Sequence, residues 1–173
     1  MSRKIVILRQ PEDSAEMADA VRAAGFEPLV EPVLDIVHLA ADYSGIDGQT
    51  PLIFTSAHGV QALATAYDGR ANPVFTVGRN TADAAELAGF TKIETAAGTV
   101  EDLAELLSAP KYKTLISPIY VRAEHVSRDL KEILAKNGLK IHEIVNYKAV
   151  PAQNLSLSLL QGLDRRDKGN RSA

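Results

Sequence analysis

The sequence predicts an α/β fold: a parallel sheet flanked by helices, with one complete core and chain left over that either extends the main sheet or belongs to a second domain. Three observations predict it. Short aliphatic runs, Ile5-Val6-Ile7-Leu8, Leu52-Ile53-Phe54 and Val74-Phe75-Thr76-Val77 among them, each give way to a turn and then to a helical pattern. Gly25, Gly89 and Gly138 close those helical patterns, as glycine does at helix C-termini. Alternation of this kind builds β-α units, which join parallel strands. The third observation is size: 173 residues, 46% hydrophobic and 24% charged, hold one good core with chain left over, but not two full domains.

The elements follow in order. Ile5 to Leu8 form a strand, Pro11 opens a helix, Met17, Val21 and Ala24 fall near helical spacing, and Gly25 stops it. Residues 26–34 return extended, with Pro28 and Pro32 confining them to an edge or a crossing segment. After Leu52-Ile53-Phe54, Thr55-Ser56 start a helix whose Val60, Leu63, Ala64 and Tyr67 lie at i, i+3, i+4 and i+7. Residues 74–77 are a strand, Gly78 a turn, 81–88 a short helix and 92–95 the next strand. Thr99 with Asp102 resembles a capping box ahead of Leu103, Leu106 and Leu107. Residues 114–116 are expected as a strand, Val126, Leu130, Ile133 and Leu134 as a helix, and 139–150 as a long extended run. Residues 155–163 fit one or two helical turns, and the polar stretch 164–173 has the composition of a disordered tail. Five strands thus fall between Leu52 and Tyr147. The opening β-α-β of residues 1–34 is too short to bury its own core, since fragments below roughly 40 residues rarely fold unaided.

Composition narrows the function. With no Cys there is no disulfide, no thiolate zinc site and no cysteine nucleophile, which fits a reducing compartment. A formal charge of −3 and a pI near 5.8 argue against a surface that coats nucleic acid or an anionic membrane. No apolar run approaches the roughly 20 residues of a membrane span, and the apolar stretch before Arg9 is too short for a signal peptide. A soluble, cytoplasmic protein is expected, binding neither nucleic acid nor membrane.

Open parallel sheets bind ligands beyond the carboxyl ends of their strands. The residues there are Arg9-Gln10, Thr55-Ser56-Ala57-His58, Gly78-Arg79-Asn80-Thr81, Ala97-Gly98-Thr99 and Ser117-Pro118. They hold hydroxyls, small residues and helix-starting amides, and no Asp or Glu. Free N–H groups at helix starts favour anions, so a ligand with several carboxylates or phosphates suits them. Ser56, Thr81 and Thr99 serve equally well as helix caps, the commonest use of such residues. A dinucleotide fingerprint and a phosphate loop are absent. His38, His58, His125 and His142 have no metal-binding spacing, and Ser56 with His58 lacks both a third member and a nucleophile elbow. Tyr147 ends an extended run, where its phenol either donates a proton in a cleft or packs a strand end.

Arg9 with Pro11, Gly25-Phe26 before Glu31-Pro32, Ile53-Phe54-Thr55-Ser56 with Gly59-Val60, Val77-Gly78 with Thr81-Ala82, Gly89-Phe90 and Val145-Asn146-Tyr147 come in an order and spacing that resembles the uroporphyrinogen-III synthase family. The resemblance runs from residue 1 to about 163. It implies a chain that begins one domain, builds the second completely and crosses back. Residues 1–34 would open domain one, 35–150 form domain two with its linker strands, and 151–173 start the return and end in the polar tail. It implies a monomeric lyase of porphyrin (haem) biosynthesis that closes hydroxymethylbilane to uroporphyrinogen III, losing water and inverting ring D, with no cofactor. Tyr147 would be the catalytic proton donor or orienter, and Arg9, Thr55, Ser56, His58, Gly78 and Thr81 the substrate-binding residues. His58 stands where the family often has Asn or Arg, and Arg122 is a displaced substitute for an Arg-Gly turn. The family continues past residue 163, so reduced or absent activity is expected, with self-association through the exposed aliphatic strand. The alternative is a non-catalytic small-ligand or interaction module built on the same fold.

Overall fold

The computed structural model describes residues 3–112, 115, 117–157 and 159. The chain divides into two compact units, one drawn from Met1–Asp35 and Ala149–Ala173, the other from Ile36–Lys148.

In the first unit, β1 (Lys4–Ile7) lies parallel to β2 (Glu27–Val30), Lys4 beside Glu27 and Ile7 beside Val30. The crossover is α1 (Ala15–Ala23), closed by Gly25 at φ +82°, a conformation glycine adopts without strain. Ile7 and Ala18 are buried, whereas Ile5, Val6 and Leu8 are exposed. Glu31 is also buried, and its carboxylate accepts the Ser156 N–H; bonds from the Ser156 side chain and backbone hold its carboxyl below the usual range.

The second unit is doubly wound. In chain order come β3 (Leu34–His38), β4 (Leu52–Phe54), α2 (Ala57–Ala64), β5 (Pro73–Val77), α3 (Gly78–Leu87), β6 (Lys92–Ala96), α4 (Val100–Ser108), β7 (Ile119–Ala123), α5 (Leu130–Lys136) and β8 (His142–Pro151). The sheet order is β3-β8-β7-β4-β5-β6, and β8, β7, β4, β5 and β6 are mutually parallel. Leu39 N–H bonds Asn146 C=O while Ala152 N–H bonds Val33 C=O, so numbers rise on β3 as they fall on β8: that edge strand is antiparallel.

The pleat sorts the core into two layers, because successive side chains point to opposite faces. Ile53, Phe75 and Tyr120 meet Leu103 and Leu107 of α4 and Leu130 and Leu134 of α5. Their strand neighbours Leu52, Phe54, Val74, Ile119 and Val121 meet Val60 and Leu63 of α2 and Ala85 of α3. Burial on both faces explains why these strands are aliphatic rather than alternating. Fully buried Asn72 donates to the carbonyls of Asp47 and Thr50 and accepts from Tyr67 Oη, fastening the loop that leads into β4.

Three expectations change. The strand expected at 114–116 falls partly on residues 114 and 116, which lie outside the described residues, and the strand in that place of the topology is β7. The ladder begins only after Pro118, which has no N–H to donate, and Ser117 before it turns at φ +49°. Ile119 N–H then bonds Pro51 C=O and His142 N–H bonds Pro118 C=O. Ser117-Pro118 therefore sits at the amino end of β7, away from the binding rim. Val126 precedes α5, which starts at Leu130 with Asp129 accepting from Glu132 N–H. α3 begins at Gly78 rather than Thr81, since Gly78 takes φ +72° without a Cβ penalty. The expected disordered tail, 164–173, lies outside the described residues. Among the described residues no helix is long and apolar enough to cross a membrane.

Candidate functional site

From β4 the chain turns through α2 to β5 on one side, and from β7 it turns through α5 to β8 on the other. The loops leaving β4 and β7 therefore part, and a crevice opens at this switch point, the place where doubly wound sheets bind ligands. A cleft of about 450 Å³ lies there. Thr55 and Ser56 line it after β4, Tyr120 and Ala123 on β7, and His125, Ser127 and Arg128 after β7. Gly98, Thr99 and Glu101 contribute from the start of α4, and Tyr147 from β8.

A bulge puts Tyr147 there. Arg122 stands beside Val145 and Ala123 beside Tyr147, so β8 carries Asn146 as an extra residue at this point. Such an insertion re-aims the side chains that follow it. Asn146 turns its amide into the core, where Nδ2 donates to the Gly59 carbonyl at 2.9 Å. The fit at Gly59 is close: a Cβ there would lie 3.3 Å from the Val121 carbonyl and 3.6 Å from Tyr147 Cε1. Tyr147 is 8% exposed, and its ring packs against that of His58 with centroids 5.9 Å apart. Glu124 N–H bonds the Tyr147 carbonyl at 2.9 Å and closes the strand end.

The polar groups of the cleft are largely anchored. Thr55 Oγ1 and Tyr120 Oη are 2.9 Å apart, and burial pushes the Tyr120 phenol up from its ordinary pKa, keeping it protonated. Ser56 caps α2 by accepting the His58 N–H. Thr99 and Asp102 form the expected capping box on α4. Bonds from the Thr99 side chain and backbone, with the Gly98 N–H, hold the Asp102 carboxyl below the usual carboxylate range. Arg128 donates to Glu101 across the cleft.

The sequence-predicted residues divide accordingly. Thr55, Ser56 and Tyr147 are brought together on the cleft. His58 is buried behind Tyr147, Thr81 is buried on α3, and Gly78 follows cleft-lining Val77. Arg9 is exposed in the first unit. Arg122 is no substitute anion contact: Nε pairs with Glu143 at 2.8 Å and Nη1 donates to the carbonyls of Ala123 and Glu124, tying down the bulge. Sequence reasoning missed Tyr120, Ser127, Glu101 and Arg128. Placing β7 five residues too early hid the loop that carries Ser127 and Arg128.

Residues 15–168 match the family model described as uroporphyrinogen-III synthase HemD. The fold is similar to the crystal structure of uroporphyrinogen-III synthetase from Helicobacter pylori, with a TM-score of 0.57 and 20% identity, covering 91% of this chain and 66% of that one. It is also similar to a mutant uroporphyrinogen III synthase from Thermus thermophilus, with a TM-score of 0.52 and 15% identity, covering 87% of this chain and 64% of that one. The chain thus spans just under two thirds of the length of these two structures. No curated protein sequence matches it significantly.

Proposed function

Because the chain belongs to the uroporphyrinogen-III synthase family, we propose that its cleft binds hydroxymethylbilane and takes part in closing it to uroporphyrinogen III with loss of water and inversion of ring D. The observation that supports this most is the meeting of Thr55, Ser56 and Tyr147 at the switch-point crevice, with helix-start amides around them. The substrate carries many carboxylates, and the hydroxyls of Thr55 and Ser56, at the start of α2, are placed to donate hydrogen bonds to them.

In this reading the Tyr147 phenol faces the departing hydroxyl. The hydroxyl leaves with a proton as water, expelled by the lone pair of the adjacent pyrrole nitrogen, and the chain becomes an electrophilic azafulvene. A phenol O–H donates to that oxygen or orients it without needing a shifted pKa. The remaining task is to hold the chain so that the electrophile meets the far ring, which is a matter of positioning. Within the second unit His58, Gly78 and Thr81 are outside the cleft lining, so the first substrate contacts there fall to Thr55 and Ser56, and His58 supports the Tyr147 ring. The same reading makes the protein a cytoplasmic lyase of porphyrin biosynthesis with a small-molecule substrate and no nucleic-acid ligand.

Product analysis after adding hydroxymethylbilane tests it. The type I isomer forms spontaneously, so type III product above that background supports the reading, and type I alone contradicts it.

A further inference from the structure

Arg128 presents a guanidinium to the cleft and is joined there by the carboxylate of Glu101. Glu101 lies in the first turn of α4, where a carboxylate is favoured by the helix dipole. One carboxylate at the start of a helix therefore holds the guanidinium, a donor group well matched to a carboxylate. At this helix start the amides of Gly98, Thr99 and Asp102 are engaged by the capping box. Side chains 60% and 51% exposed make the Arg128–Glu101 pair a weak one that a second anion can exchange into.

We propose that Glu101 is an internal competitor for the cleft's anion site, occupying the place between Arg128 and α4 that a ligand carboxylate takes on binding. Arg128 is then a specificity residue for carboxylate-bearing ligands, and Glu101 sets how tightly they are held. The proposal deepens the synthase reading and rests on it for the identification of the ligand as a tetrapyrrole.

The experiment is a binding titration of the full chain with two probes, citrate and the octacarboxylate uroporphyrin I, by calorimetry and absorbance. Wild type is compared with Glu101→Gln, Arg128→Gln and the double variant. Glu101→Gln is expected to tighten both probes about two- to five-fold, the scale of an exposed ion pair, and Arg128→Gln to weaken both by about the same factor or more. In the Arg128→Gln background the gain from Glu101→Gln should vanish, because no guanidinium is left to release. An equal gain in both backgrounds would reduce Glu101 to general charge repulsion and overturn the proposal, as would binding indifferent to both substitutions or no binding by any variant. Citrate obeying the pattern while uroporphyrin I fails to bind sustains the anion site and sinks the tetrapyrrole reading. Uroporphyrin I binding without regard to either substitution does the reverse. Both side chains are more than half exposed, and unchanged thermal melting checks that the variants fold.

Discussion

Asn146 shows how much of the cleft depends on one buried amide. It is the extra residue of the bulge in β8, and its bond to the Gly59 carbonyl fixes both the approach of α2 and the direction of Tyr147. Replacing it with alanine strands a buried carbonyl, at a cost of roughly 1–3 kcal/mol. Asn146→Ala should therefore lower the denaturant midpoint and also disturb the Tyr147 ring signals, whereas an unchanged midpoint would contradict this role. Tyr147 itself was legible as a phenol in an aliphatic extended run, although β8 does not end there as expected but continues to Pro151. The re-aiming that delivers it was not, since a bulge depends on how β8 registers against β7, a partner distant in sequence. Arg128 was hidden for a similar reason. Arg122 follows the aliphatic run of β7 and Arg128 lies in the loop after it, and only the contacts of Arg122 with Glu143 and two carbonyls show that it is structural.

Among elements, those with their own start and stop signals were read well. The Thr99/Asp102 box opens α4 as its spacing predicts, and Gly25, Gly89 and Gly138 each take positive φ at a helix end. Thr99→Ala should cost about 1 kcal/mol of stability by removing the cap. The pH dependence has a definite sign. Asp102 is held below its ordinary carboxylate pKa, so its contribution is present above that ordinary value and is lost as pH falls through the lower folded one. Removing Thr99 should shrink that acid-side loss, and acid titrations of wild type and Thr99→Ala with identical slopes would contradict it. The strand β7 was displaced in the sequence reading because Leu115-Ile116 looks as aliphatic as Ile119-Tyr120-Val121, and only Pro118 marks where pairing can begin.

At the scale of the whole molecule, the aliphatic strand β1 pairs only with β2 among the described residues, and Ile5, Val6 and Leu8 stay exposed. Two-stranded sheets are marginal alone, and an open aliphatic edge invites a partner strand. Light scattering should show association that grows with concentration and is suppressed by Val6→Lys with Leu8→Lys, whereas a monodisperse monomer at raised concentration would count against it. The order of the motifs was enough to place the chain in its family, because several mark strand ends, which the doubly wound topology gathers, and others mark helix ends. The central claim is that the gathered cleft carries the chemistry through Tyr147. It is tested most directly by the ratio of type III to type I uroporphyrinogen formed from hydroxymethylbilane by wild type and Tyr147→Phe. The account predicts type III product above the spontaneous background and a drop of about ten-fold or more in its rate of formation for the variant. Type I product alone from the wild type, or a variant that matches wild type, would contradict it.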